Sequence, residues 1–383
     1  MTATESNAEN SSKNRISVGI IGTSWWADAM YLPALTNHPQ AEIRAICGRR
    51  PEPAHALAQR WQIPHVYTDY HKMIESGMID AVLVLSGNDS HYPATMTALD
   101  AGLHVLCEKP LALTYEQAAE MAQVADAKGV KHMVPFTYCY MPTARYIMSL
   151  LDEGYLGCPY HLNMRYYTGY GRTSDYRWRF DMSKAGAGAI GDIGSHFLYL
   201  ATRFFGKIEG IHCQCGRMME RPATGPDGNS YEQAEDMAIM TLTFANGAQG
   251  VLHITTLAYE DTPFGQTHHV ELHGSEGTLY SIIDWDKIQR VSGARQGEGA
   301  IRELPIPDHI WGNARRDTVH NTYRDVFREQ DWMTREFITA ILADDPEPPS
   351  YPTFHDGADI QRLIEAALQS DKERRWIAVE NIQ

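Results

Sequence analysis

Between Ile16 and Phe136 short apolar runs alternate with stretches of helical spacing, and that alternation leaves few folds open. The runs Ile16–Ile21, Glu42–Cys47, Ala81–Leu85, His104–Cys107 and His132–Phe136 are too short for buried helices and read as strands. Between them lie helical stretches: one ending near Leu35, then Pro53–Gln62, Tyr92–Ala101 and Tyr115–Lys128. Strands that are apolar on both faces need helices above and below, which predicts a parallel, doubly wound sheet. This first domain spans residues 15–140, after a polar stretch, 1–14, expected to be a disordered tail.

The texture changes after Pro142. One helix, Thr143–Asp152, precedes long period-2 segments such as Met237–Phe244, and the turn Ala245-Asn246-Gly247-Ala248 carries the Asn-Gly pair of a tight hairpin leading into Gln249–Thr256. Further strands are expected at Tyr160–Thr168, Ile208–Arg217, Thr267–His273, Thr278–Ile283 and Lys287–Val291, and helices at Asp331–Leu342 and Phe354–Ser370. The segments Glu220–Gln233 and Ser292–Asp325, rich in Gly, Pro and charge, are expected to be loops over a site. The second domain, 141–383, is thus an α+β unit with an open, mainly antiparallel sheet. At 383 residues the chain exceeds the roughly 250–300 at which a single core stops growing, in keeping with two domains.

A net charge of −15 argues against nucleic acid or an anionic membrane as partner, because both select positive surfaces. The six cysteines form no CxxC pair, and several sit in apolar runs, so a cytoplasmic, disulfide-free protein is expected. No segment reaches the roughly 18 apolar residues of a membrane span.

Gly22-Thr23-Ser24-Trp25-Trp26-Ala27 follows the first strand and opens a helix, where a G-x-G-x-x-G/A turn sets a pyrophosphate on helix N-terminal amides. Gly22 supplies the turn and Ala27 the close packing. Ser24 takes the second glycine position, and its hydroxyl is an alternative partner for the phosphate. The second strand ends Cys47-Gly48-Arg49-Arg50 without a carboxylate for a ribose 2′-hydroxyl, while Glu42 sits at the wrong end of it. Gly48 leaves room for a 2′-phosphate that Arg49 or Arg50 can pair with, so NADP is favoured over NAD. The alternative is that both arginines are merely solvated at a helix start.

Two further motifs suggest proton handling: Glu108-Lys109-Pro110 at the end of the fifth strand, and Gly191-Asp192-Ile193-Gly194-Ser195-His196. Asp192 and His196 stand four apart on a helix expected to begin near Ala189, so both can address one substrate. With the Gly22 turn, Asn88-x-x-His91 and Trp178-Arg179, these motifs make the chain resemble the Gfo/Idh/MocA family of glucose–fructose oxidoreductase, inositol dehydrogenase and related sugar dehydrogenases. The resemblance runs from about Arg15 over nearly the whole chain. It implies a Rossmann domain followed by an α/β domain, and NAD(P)-dependent oxidoreduction of a sugar, glycoside or cyclic polyol. It also implies Lys109 as catalytic lysine, Asp192 as substrate-binding aspartate and His196 as general acid/base.

The expected cofactor-lining residues are Gly22, Thr23, Ser24, Trp25, Trp26, Gly48, Arg49, Arg50, Ser86, Asn88, His91, Glu108, Lys109, Trp178 and Arg179. Those expected against substrate are Lys109, Tyr138, Tyr166, Arg172, Asp192 and His196. Where many relatives carry N-x-R-[FY]-x-P, this chain reads Thr137-Tyr138-Cys139-Tyr140-Met141-Pro142, so no contact is transferred from the missing arginine. The aromatic and cationic run from Arg165 to Arg179 either stacks on a sugar, its arginines binding hydroxyls or an anionic substituent, or is ordinary sheet core and surface. Relatives also suggest oxidoreductive glycoside cleavage through transient C3 oxidation, a non-catalytic nucleotide-binding regulator, and assembly as homodimer or homotetramer. His268-His269 are strand neighbours that face opposite ways and cannot share an ion, so no metal is expected.

Overall fold

The computed structural model describes residues 15–259, 266–286, 288–329, 332–343 and 350–382. The polar stretch 1–14, residue Lys287 of one expected strand and Asp331 of one expected helix lie outside the described residues.

Six strands form the first sheet: β1 (Ile16–Ile21), β2 (Ala41–Cys47), β3 (His65–Tyr67), β4 (Ala81–Val84), β5 (His104–Cys107) and β6 (His132–Met133). They pair in parallel in the order β3-β2-β1-β4-β5-β6. The order reverses between β1 and β4, so the carboxyl ends of these two strands open the crevice where such sheets take ligands. Every residue of β4 is buried, as expected of a strand covered on both faces.

The second sheet has nine strands: β7 (Pro159–Thr168), β8 (Ile208–Gly216), β9 (Met237–Phe244), β10 (Gln249–Thr255), β11 (Gln266–Gly274), β12 (Gly277–Asp284), β13 (Ile288–Arg295), β14 (Arg302–Leu304) and β15 (Ile377–Ala378). Their order is β14-β13-β12-β11-β7-β10-β9-β8-β15. β7 and β10 pair in parallel and the other pairs are antiparallel. Alternate residues turn inward: Leu162, Met164 and Tyr166 of β7 are buried, while Ile239 and Val251 on the outer face stand 42% and 38% exposed.

The segment Ser292–Asp325 is not a loop. It holds the end of β13, β14 and the short helices Asp308–Trp311 and Val319–Arg324. These helices are too short for hydrophobic periodicity to show; tertiary contacts hold them, among them buried Tyr323 and the Arg315–Asp325 ion pair at 2.7 Å. β3, the helix Tyr70–Glu75 and β15 escaped the sequence for the same reason of length.

The helix Phe354–Glu373 crosses back onto the first domain. Its Phe354 N–H donates to His132 Nδ1 at 3.0 Å, and Val134 N–H donates to the Pro352 carbonyl at 3.0 Å. Among the described residues no helix is long and apolar enough to cross a membrane.

Candidate active site

At the carboxyl end of β1 the backbone turns at Gly22 with φ +127°, a conformation that L side chains rarely adopt. A Cβ there would lie 2.5 Å from the Leu85 carbonyl oxygen, so the turn requires glycine. At Gly48 the limit is a side chain: a Cβ there would lie 2.5 Å from the Thr23 methyl. Ser24 Oγ accepts the Ala27 N–H at 3.3 Å, which leaves its hydroxyl hydrogen available. Trp25 is 72% exposed at the mouth of the turn, and Arg49 and Arg50 are exposed beside Gly48. Placed at the switch point, between β1 and the helix that follows, this turn fits a dinucleotide's pyrophosphate.

β5 runs into Glu108 and Lys109. The Lys109 ammonium donates to Asp192 Oδ1 at 3.0 Å and to the Asp192 carbonyl at 2.7 Å, joining the two domains. Asp192 also accepts the Tyr170 hydroxyl at 2.6 Å and lies 3.3 Å from Arg179 Nε. Burial pushes the Asp192 carboxyl up, but Lys109, then Arg179, and then the Tyr170 hydroxyl outweigh it and hold the acid well below its ordinary range. Tyr170 moves the other way: burial, then the Asp192 charge, raises it far above its usual value, so it stays a donor.

Asp192 lies in a π-turn, Ile190–Gly194, that runs directly into the helix Ser195–Phe205, whose second residue is His196. The helix does include Ala189, as the spacing predicts, but its first turn is wider than α. His196 is 6% exposed, with its Nδ1 buried and unpartnered. Burial, then Lys109, pushes the imidazole well below its ordinary value against the pull of Asp192, so it is neutral at neutral pH.

Tyr138 and Tyr166 lie beneath this cluster, hydroxyl to hydroxyl at 2.7 Å, with Tyr166 donating to Gln266 at 3.0 Å. The Tyr138 ring stands edge-on to His196 at 4.6 Å. Buried His268 and Trp285 complete the floor.

Several expected cofactor residues also make contacts within the protein. His91 is 1% exposed, and its two ring nitrogens face the Pro110 carbonyl at 2.8 Å and the Ser86 carbonyl at 3.3 Å. The buried ring, held neutral by its desolvation, has one N–H to give, and the shorter contact, Nδ1 to the Pro110 carbonyl, ties His91 to the loop after Lys109. Asn88 donates to the Ala185 carbonyl at 3.0 Å, and the Ser86 hydroxyl accepts from Ser90 at 2.7 Å. Arg179 belongs to the Asp192 cluster, with its guanidinium 4.6 Å over Trp178. Arg172 lies over the exposed Tyr259 ring at 4.3 Å. Tyr170 and Tyr323 were missed; Tyr170 stood in the aromatic run the sequence displays, whereas Tyr323 reaches Thr137 at 3.2 Å from a segment without periodicity.

His268 faces the aromatic floor while His269 meets Arg165 at 2.8 Å on the other side, so the two diverge as strand neighbours must. Asp126, His132 and His355 also converge. His132 Nδ1 accepts the Phe354 N–H, which puts the ring proton on Nε2, toward Asp126 at 3.4 Å, in a hydrogen-bond arrangement that leaves no free lone pair on that ring for an ion.

Residues 16–136 match the family described as oxidoreductase, NAD-binding Rossmann fold, and 148–379 match its C-terminal alpha/beta domain. The chain belongs to the Gfo/Idh/MocA oxidoreductase family. It is similar to levoglucosan dehydrogenase of Pseudarthrobacter phenanthrenivorans, 24% identical over 96% of this chain and 99% of that protein. It is also similar to D-glucoside 3-dehydrogenase of Escherichia coli K12, 31% identical over 62% of this chain and 69% of that one. The solved structure of a levoglucosan dehydrogenase in complex with NADH and levoglucosan shares the fold, with a TM-score of 0.84 at 23% identity, over 95% of this chain and 99% of that one. As a Gfo/Idh/MocA protein the chain is an NAD(P)-dependent oxidoreductase, and the Gly22 turn lies within its matched nucleotide-binding half.

Proposed function

We propose that this oxidoreductase transfers a hydride between NAD(P) and a secondary hydroxyl or ketone of a sugar, glycoside or cyclic polyol, with Lys109, Asp192 and His196 as its catalytic residues. The observation that carries this reading is the pairing of Lys109 with Asp192 at 3.0 Å beside a neutral, buried His196. In the oxidative direction His196 takes the hydroxyl proton, and Lys109, backed by Arg179, stabilises the negative charge growing on that oxygen. Asp192 fixes the ammonium and offers a second substrate hydroxyl an acceptor. A dinucleotide with its pyrophosphate on the Gly22 turn would supply the nicotinamide as hydride acceptor. The Tyr138–Tyr166 floor excludes water beneath the imidazole.

Gly48, Arg49 and Arg50 support NADP as the preferred coenzyme. The outer sheet face around Ile239 and Val251 supports assembly as a homodimer or homotetramer, an idea that a monomeric mass by light scattering would remove. The decisive assay screens sugars, glycosides and polyols with each coenzyme, then repeats the best pair in Lys109→Ala and His196→Ala. Each substitution is expected to lower turnover by about 10²–10⁴. Retained turnover in both sinks the assignment, and a preference for NADH over NADPH refutes the arginine reading.

A further inference from the structure

The helix that opens at the nucleotide turn begins with a second π-turn, Ala27–Tyr31. In such a turn the backbone bonds reach back five residues, so side chains five apart come to lie one above the other. Trp26 and Tyr31 are such a pair, and both point at one atom. The Trp26 indole N–H donates to Glu108 Oε1 at 2.7 Å, and the Tyr31 hydroxyl donates to the same oxygen at 2.6 Å. Glu108 Oε2 accepts the Lys109 backbone N–H at 3.1 Å, and the side chain is buried at 7% exposure.

Three donors therefore meet on a carboxylate next in sequence to Lys109, and none of them is a cation. An indole nitrogen can only donate. Tyr31 stays a donor too, because burial and then the Glu108 charge push its hydroxyl far above its usual range. The strongest alternative partner for Glu108 is its neighbour's ammonium, which instead reaches Asp192 across the domain boundary.

We propose that Trp26 and Tyr31 are positioning residues for the reaction: by turning the Glu108 carboxylate away on neutral donors, they leave the Lys109 ammonium to Asp192 and to the substrate oxygen. The proposal rests on the reading of Lys109 as the catalytic cation. It also ties the first turn of the nucleotide-binding helix to the residue that meets the sugar.

The test is steady-state kinetics, at saturating coenzyme and with the best substrate of the screen, on Trp26→Phe, Tyr31→Phe, Glu108→Gln and the double variant Tyr31→Phe/Glu108→Gln. Trp26→Phe and Tyr31→Phe are each expected to lower kcat about tenfold, the loss of one hydrogen bond to a charged group, with KM for the sugar little changed. The double variant should then turn over faster than Tyr31→Phe alone, because an uncharged amide cannot draw the ammonium off Asp192. A purely structural role predicts the opposite, a double variant as slow as Tyr31→Phe or slower, and that result overturns the proposal. Unchanged kcat in both single variants also overturns it. If Tyr31→Phe fails to fold, Trp26→Phe paired with Glu108→Gln gives the same comparison. Lys109→Ala measured alongside separates the two levels: its loss of turnover with no recovery in the double variant condemns the clamp and leaves the catalytic assignment standing.

Discussion

Two carboxylates flank Lys109, one beside it in the chain and one across the domain boundary, and they are held by opposite means. Glu108 rests on an indole, a phenol and a backbone amide, while Asp192 rests on an ammonium, a guanidinium and a phenol. Neutral donors orient an anion without cancelling its charge. Cations cancel it and go further, because Lys109 and Arg179 together outnumber the one carboxylate between them. Lys109 from the Rossmann domain and Arg179 from the second domain thus converge on Asp192 where an alkoxide grows, while Glu108 is oriented on neutral donors and does not compete for the ammonium.

The most direct way to break this contrast is to neutralise each acid without changing its shape. Asp192→Asn is expected to lower kcat/KM by about 10²–10³, since it removes the anchor of the ammonium. Glu108→Gln is expected to cost no more than about threefold, because the indole and the phenol can donate to an amide oxygen in place of a carboxylate oxygen. Equal losses in the two variants would erase the distinction.

The floor sharpens it through pH. Burial pushes His268 down to about 3, so between the unfolded value near 6.5 and that pH the unfolded chain binds a proton that the native state refuses. Stability therefore falls as pH drops below 6.5. In His268→Gln the difference in unfolding free energy between pH 7 and pH 5 should shrink by about 2 kcal/mol in chemical denaturation, and an unchanged difference would mean the ring titrates freely in the native state.

The smallest effect belongs to Arg179, whose side chain is 46% exposed. Its ion pair is solvent-screened, so Arg179→Leu should reduce kcat/KM by no more than about fivefold, with Lys109 and Tyr170 still holding Asp192. A loss as large as that of Asp192→Asn would give the guanidinium a direct role on substrate.

Much of this was legible in the chain. The alternation from Ile16 to Phe136 gives the doubly wound sheet, and Lys109, Asp192 and His196 announce themselves by their neighbours. What stayed hidden obeys other spacings. Trp26 and Tyr31 fall on different faces of a regular α-helix, and only the wider turn aligns them. Tyr323 sits in a helix too short to show a period. His91 looks like a ligand-facing histidine beside Asn88, yet it is buried against the Pro110 carbonyl, which only the folded loop brings near it. Arg179 reads as part of a Trp-Arg pair on the nucleotide side until the 3₁₀ turn Trp178–Phe180 swings it to Asp192.

The return of the helix Phe354–Glu373 to the first domain bears on how the protein is made. The edge of the nucleotide-binding sheet near Val134, and the ring of His132, find their partners at Pro352 and Phe354, the latter 222 residues further along the chain than His132. The nucleotide-binding half therefore waits, with those groups unmet, until residues 352–354 have been made, and a chain cut before residue 350 would leave them bare.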